Sequence, residues 1–232
     1  MNSLNAMLQD PWRLLDAVVD GPLHPGGRDA TEQLLDRAGV GESTRFLDVG
    51  CGAGDALNAA RERGANAVGL DRDPTGDRVV RGDMVALPFA DDSFDAVLGE
   101  CVLCLSSSLA DTLADIERVL KPGGRLAFSD VTVEGDAPVI PAPFDEVLCL
   151  DGPREQDYIR DRVEGAGFEV EEIRTHHQDV LEMRDRIRES VDIERYASLV
   201  GSDNELQAGM QELEAAVESG RVGYISVVAS VP

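Results

Sequence analysis

Apolar positions along this chain recur with two periods, and the periods alternate. Phe46-Leu47 with Val49, Ala67 to Leu70, Val79-Val80, Phe94 with Val97 and Leu98, and Arg125 to Val131 are short apolar blocks that read as buried strands. Helical spacing separates several of them: Leu57 with Ala60, then Leu109, Leu113, Ile116 and Leu120, then Ile159 with Val163. This alternation predicts an α/β domain around a largely parallel sheet. Local chemistry marks the boundaries. Ser108 and Asp111 start one helix and Pro122-Gly123-Gly124 stops it; Asp151 and Pro153 open the next, and Gly167 follows its end. Between the second and third strands the chain from Asp71 to Val79 leaves room for at most a single helical turn.

The two ends are organised differently. Leu4, Met7, Leu8, Trp12, Leu15, Val18 and Val19 form a short amphipathic pattern interrupted by Pro11. Gly21 to Gly27 is a Gly/Pro loop, and a helix from Arg28 to Ala38 is ended by Gly39. Phe168 to Arg174 alternates as a sixth strand and Tyr224 to Ala229 is a seventh. The intervening residues 176–221 read as helical. There Ser202 and Glu205 form a capping box, and Leu206, Met210, Leu213 and Val217 form one stripe. The stripe is expected to pack as core, within a small helical lid or a dimer surface.

Candidate chemistry concentrates at Phe46 to Gly54. A buried strand runs there into a turn with glycine at every second position, Gly50, Gly52 and Gly54, and a helix follows at once. Glycine lets the backbone bend sharply and lets a ligand lie against bare main chain. The helix start directs its unpaired N–H groups toward the turn. A dinucleotide fingerprint would need its third glycine at position 55, which is Asp55, an acid where a pyrophosphate would lie. The spacing Asp48-x-Gly50-x-Gly52-x-Gly54 instead resembles the first motif of the class I S-adenosylmethionine-dependent methyltransferases. That resemblance implies that Asp48 stands near the methionyl ammonium. The loop, with Cys51 in it, would lie along the methionyl part and the ribose.

Four further segments carry the same resemblance in the same order. Asp71 ends the second strand about twenty residues beyond the turn, where an acid accepts ribose hydroxyls; the competing reading is that it caps the turn Asp73 to Gly76. Arg72 beside it is placed in the cofactor-binding set. Asp83 and Met84, after the third strand, match the positions that hold the adenine amino group and ring. Leu87 to Leu98 and Val119 to Leu126 match the entries into strands four and five. The implied fold is Rossmann-like: a seven-stranded mixed sheet, helices on both faces, an antiparallel last strand and a helical insertion before it. The implied organisation is one domain over residues 1–232, with a helical cap over 1–40, a cofactor-binding core over 44–175, the insertion over 176–221 and the last strand over 222–232. The implied cofactor is S-adenosyl-L-methionine.

In this fold the end of strand four faces the transferred methyl group, and here it reads Gly99-Glu100-Cys101-Val102-Leu103-Cys104. Cys149 lies in the loop after strand five. Zinc asks for four ligands and no fourth cysteine is free, since Cys51 belongs to the glycine turn, so His24, His176 or His177 would have to complete a site, and no metal is expected. Trivalent arsenic takes up to three thiolates and keeps a lone pair. Cys101 and Cys149 match cysteine positions of arsenite methyltransferases, which this stretch resembles, although that family's further thiol ahead of the glycine loop is missing here. Two other readings stand beside this one. The cysteines are small buried hydrophobes, or the enzyme is a C- or O-methyltransferase of a quinone-like or other small metabolite. A non-catalytic protein that binds the cofactor is a third alternative. Glu100 is read either as a general base or as a strand-end acid in a structural hydrogen bond. It joins Cys101 and Cys149 as a catalytic candidate and also stands in the cofactor-binding set.

Composition adds one constraint. Twenty-one basic against forty-five acidic residues leave a net charge of −24, and Lys121 is the sole lysine. Nucleic acid is an unfavourable partner for such a surface; a small molecule is the expected one. With no basic leader and no membrane-length apolar run, the expected location is cytoplasmic. Self-repulsion at this charge is a device of proteins that fold in concentrated salt. The melting temperature is therefore expected to rise as KCl goes from millimolar to molar, because counter-ions screen carboxylate repulsion. A melting curve indifferent to KCl would remove that reading.

Overall fold

The computed structural model describes residues 22–74, 77–140, 148–150, 155–190 and 203–232. The amphipathic pattern of residues 1–20, Thr75-Gly76, the Asp151 and Pro153 helix opening and Ser202 of the capping box lie outside the described residues. Helix α1 spans Gly27–Arg37, β1 Arg45–Val49, α2 Asp55–Glu62, β2 Asn66–Asp71, β3 Val79–Arg81 and β4 Phe94–Glu100. Then come α3 Leu109–Val119, β5 Leu120–Val133, α4 Gln156–Gly165, β6 Glu169–Thr175, α5 His177–Ser190, α6 Asp203–Glu218 and β7 Val222–Ser230.

The strands form one seven-stranded sheet in the order β3-β2-β1-β4-β5-β7-β6. Pairs β1–β2, β1–β4, β2–β3 and β4–β5 are parallel. β6 and β7 are antiparallel. β7 also runs against β5, since backbone bonds join Gly123 and Gly124 to Val231 at one end and Glu134 to Arg221 at the other. This is the expected mixed sheet with a reversed last strand. No helix occurs between β2 and β3 among the described residues, as the short spacing required. One boundary differs. α3 ends at Val119, before Pro122-Gly123-Gly124, and β5 begins at Leu120. The intervening residues form an irregularity in the ladder, where pairing with β4 jumps from Phe94↔Leu120 to Ala96↔Arg125. They shape the strand's entry instead of stopping the helix.

The chain divides into two compact units. The first comprises Arg28–Asp130, Gln156–Thr175 and Ile225–Pro232. Alternation along its strands sends side chains to two opposite faces. On one face Phe46, Ala96, Leu98, Ala127 and Val228 pack with Leu34 and Leu35 of α1 and Leu57 and Ala60 of α2. On the other, Leu47, Val97, Leu126, Phe128 and Val227 pack with Leu113 and Ile116 of α3 and Ile159 and Val163 of α4. Helices therefore cover both faces, and each buried Leu or Ile contributes ~1.5–3 kcal/mol. The second unit comprises Met1–Gly27, Val131–Glu155 and His176–Tyr224. Its core joins Val133, Ile140, Leu150, Ala216, Val217 and Val222, with Met210 and Leu213 packed against them. The helical stripe thus packs as core at Met210, Leu213 and Val217. Arg184–Glu218 and Arg188–Glu214 ion pairs link α5 to α6.

One arginine on α3 fixes the long approach to β4. Arg118 donates to the carbonyls of Leu87 and Phe89 and to the carboxylates of Asp91 and Asp115. Asp115 in turn accepts the Leu87 N–H. Removing that guanidinium leaves the two carbonyls without this donor and Asp115 without its counter-charge. Arg118→Ala is expected to cost about 1–3 kcal/mol, read as a lower urea midpoint with an unchanged slope; an unaltered midpoint would show that the segment holds itself.

Candidate functional site

The turn after β1 is pinned from below. Gly50 and Cys51 both donate their N–H groups to the Leu70 carbonyl of β2, at 2.7 and 3.1 Å. Gly54, with φ 87°, is the residue before α2, and its N–H closes the turn on the Cys51 carbonyl at 2.7 Å. Gly50 has φ 68°, and a Cβ there would lie 2.1 Å from Val102 Cγ2, so no other residue fits. Gly52 also has positive φ, but nothing stands within 4 Å of where its Cβ would be. The turn is thus crowded on its inner side and bare on its outer side, the form of a cradle for a ligand lying along main chain.

Asp48 ends up beneath this cradle, only 3 % exposed. One carboxylate oxygen takes the Leu57 backbone N–H. The other, Oδ2, is buried with no hydrogen-bond partner. Burial first, and then the nearby Glu100 charge, push its pKa well above the ordinary carboxylate range; Asp71 and Asp55 add to the shift. An unpaired buried carboxylate oxygen is costly, and such atoms in a cleft mark sites awaiting a partner. A cation satisfies it.

Asp71 caps the turn that follows it, one of the two roles that the sequence held as alternatives, and it also holds the glycine turn. Its Oδ1 accepts the Asp73 N–H at 2.9 Å, which is the turn cap, and its Oδ2 accepts the Gly52 N–H at 2.9 Å, which ties β2 to the glycine turn. Arg72 reaches across to donate to the Leu105 carbonyl at 3.2 Å, with its Nε 3.7 Å from Asp83 Oδ2. Asp83 caps its own turn through Val85 N–H, and Met84 is buried in the core. Cys51 belongs to the turn through its backbone only. Its side chain packs inward, so that a Cβ on Gly69 would meet Sγ at 2.6 Å. Burial pushes that thiol up to about 12, leaving it protonated and unreactive.

At the end of β4, Cys101 is outside any disulfide, is half-buried and has φ 52°. Its N–H donates to the Ser129 carbonyl of β5. A non-glycine residue in that conformation costs of order 1–3 kcal/mol, and Ser43, Arg78 and Asp92 share it away from the turn. Cys104 is buried, and so is Cys149 in the second unit, where φ is 55°; each is disulfide-bonded, so neither offers a thiolate in this structure, against the expectation for Cys149. Glu100 stands beside Asp48 and is held by Thr31 of α1, whose hydroxyl lies 2.9 and 3.2 Å from its two carboxylate oxygens.

Thr31, Val102 and Asp130 were missed by sequence reasoning. Thr31 shares the buried stripe of α1 with Leu34 and Leu35, so a polar residue at helical spacing with leucines was a usable signal. Asp130, 3 % exposed, sits within the apolar β5 run, where a charged residue stands out. Val102 gave no sign, since its role is to fill the space beside Gly50.

Residues 47–128 match the family described as "Methyltransferase domain". Methyltransferase GfsG of Streptomyces halstedii is 32% identical over 173 residues, covering 66% of this chain and 62% of that protein. Arsenite methyltransferase of Halobacterium salinarum is 32% identical over 156 residues, 59% of this chain and 40% of that one. The chain therefore spans less than two thirds of either relative. Among solved structures, the crystal structure of the [4+2]-cyclase SpnF superposes with a TM-score of 0.77 at 22% identity, over 99% of this chain and 94% of that one; this likeness is one of fold.

Asp48 gives a pH prediction and a substitution. Because its folded-state pKa is raised, the folded chain keeps a proton that the unfolded chain has already released. Stability is therefore fully present below the ordinary carboxylate pKa and falls as pH rises through the window up to the raised value. Asp48→Asn removes this loss while keeping the Leu57 bond. It is expected to raise the melting temperature at neutral pH by a few degrees, about 1 kcal/mol, with the gain vanishing in acid. A variant that melts lower at both pH values would contradict the assignment.

Proposed function

We propose that this chain, a class I S-adenosylmethionine-dependent methyltransferase by its domain match and its sheet, transfers the donor's methyl group to a small-molecule acceptor. One observation carries the reading: the buried, unpartnered Asp48 oxygen beneath a glycine turn whose outer side is bare. An ammonium fits the oxygen and an extended aminoacyl chain fits the turn. Asp48 would hold the donor's ammonium, Gly50 to Gly54 its methionyl part, and Asp71 the ribose hydroxyls through the lone pairs left on its two oxygens. Asp83 and Met84 would flank the adenine, with Arg72 over its rim. Bound there, the cofactor supplies a methyl already activated on a sulfonium. The protein's tasks are then alignment of the acceptor and exclusion of water. Both compact units are taken as parts of one such domain.

For the acceptor we favour a trivalent arsenical bound to thiols. The support is Cys101 at the end of β4, outside any disulfide and with a positive φ, and the similarity to an arsenite methyltransferase; Cys149, disulfide-bonded in this structure, would join it only once reduced. The second reading, a carbon or oxygen acceptor such as a quinol, draws on Glu100 at the end of β4, a carboxylate that would serve as the base a hydroxyl acceptor needs.

Purified protein, kept reduced so that Cys149 is a thiol, with isotopically labelled donor and offered arsenite, methylarsenite, thiols and quinols, distinguishes them by mass spectrometry. Label on arsenic, lost by at least a hundredfold in both Cys101→Ser and Cys149→Ser, is the expected result; losses of that order accompany removal of one essential group. Label on a quinol that survives both substitutions would transfer the reading to the second acceptor class. Bound donor with no labelled product at all would make the chain a binding protein.

A further inference from the structure

Val102 follows the end of β4 and is 7 % exposed. Its isopropyl group sits against two glycines on the paired strands β1 and β4. A Cβ on Gly50, just past β1, would lie 2.1 Å from Val102 Cγ2 and 2.9 Å from its Cβ. A Cβ on Gly99, within β4, would lie 3.0 Å from Val102 Cγ1. Gly99 is not among the residues with positive φ. Its backbone would accept a side chain, so space alone excludes one. The two glycines form a notch, and one γ-methyl of Val102 faces each. The surrounding backbone delivers the side chain there. Cys101, at φ 52°, reverses the chain as it leaves β4, and this return accounts for its left-handed backbone. Its N–H is tied to the Ser129 carbonyl of β5, and the Leu105 N–H closes onto the Val102 carbonyl at 3.0 Å. Arg72, just past β2, holds the Leu105 carbonyl. Residues 101–105 are thus fastened at both ends with the branched side chain between, all within the first unit.

We propose that Val102 is a positioning residue for the methyl donor: seated in the notch of Gly50 and Gly99, it holds the Gly50–Gly54 turn in register with the end of β4. This deepens the reading above and rests on it. The bonds from Gly50 and Cys51 to Leu70, and from Gly52 to Asp71, tether the turn toward β2. They place nothing between the turn and the segment after β4. Val102 fills that place, and close-packed carbon atoms do not interpenetrate. A β-branched side chain suits the task, because two heavy atoms on Cβ restrict its rotation and the wedge does not yield by turning aside. The turn then meets the donor already shaped, and binding has little ordering left to supply.

Isothermal titration of the full chain with S-adenosylmethionine and with S-adenosylhomocysteine, beside melting curves of the same samples, reads the wedge without any turnover. Val102→Ala removes both γ-methyls, and Val102→Leu moves the branch one carbon outward. Each should weaken binding of both ligands by about tenfold. Val102→Thr keeps the branched shape and adds a buried hydroxyl. Its affinity should stay within about threefold of wild type while its melting temperature falls. Val102→Ile, which keeps both γ positions, should restore binding lost in Val102→Ala. Shape and hydrophobicity give opposite orders here. A wedge ranks Val102→Thr above Val102→Leu in affinity, whereas a residue that merely fills the core ranks Val102→Leu higher in both affinity and melting temperature. Val102→Leu binding as tightly as Val102→Thr, or unchanged affinity in Val102→Ala, overturns the role. If Val102→Ala does not fold, the Val102→Thr and Val102→Leu variants decide alone. Wild-type protein that binds neither ligand defeats the methyl-transfer reading itself, so the two failures are told apart by which protein shows them.

Discussion

A carboxylate buried beneath a glycine turn, with one oxygen satisfied and the other left bare, is the constraint on which the rest of this molecule depends. Burying Asp48 costs free energy that no contact within its own strand returns. The surrounding fold offsets it with two well-packed sheet faces and with backbone bonds that hold the turn in place whether or not anything is bound. Gly50 and Cys51 share the Leu70 carbonyl, and Asp71 holds the Gly52 N–H. The turn is therefore rigid before a ligand arrives, and a preformed turn loses little entropy on binding. Destabilisation is stored at one atom and the scaffold is stiff around it, a common division between stability and function.

Most of the fold was legible because its signals are local. Strand blocks and helical stripes set the element order, and the short gap after Asp71 removed one helix correctly. The seven strands form the mixed sheet with a reversed last strand that the resemblance implied. What went astray also has local causes. Pro122-Gly123-Gly124 has the chemistry of a helix stop, yet α3 had already ended at Val119, and the glycines serve a ladder irregularity instead. Strand pairing is a long-range fact, and no spacing within one segment reports it.

The site was legible in part, for the same reason. Its glycines and carboxylates announce themselves by type and spacing. The residues that complete it do so through partners distant in the chain. Val102 matters because it occupies the space a side chain on Gly50 would need. Thr31 matters because α1 lays its hydroxyl on Glu100, 69 positions away. Cys51 shows the converse: its place in the motif suggested a ligand contact, whereas its thiol is turned into the packing against β2. Sequence position placed the backbone of that residue correctly and said nothing of where the side chain would go.

The global charge and the local site obey one electrostatic logic. Many of the chain's few basic groups are committed to ion pairs on its own surface: Arg28 to Glu32 and Glu62, Arg63 to Glu32 and Asp36, Arg118 to Asp91 and Asp115, Lys121 to Asp95. The charges named as shifting Asp48 (Glu100, Asp71 and Asp55) are negative, and Arg72, the cation at the rim, is paired toward Asp83. A polyphosphate cofactor would enter this field uphill at every step. A ligand with cationic centres at its aminoacyl end and at its sulfur would enter it downhill. The acid at position 55, which breaks the dinucleotide fingerprint, belongs to the same pattern: it adds to the field that excludes phosphate and raises the pull on a sulfonium.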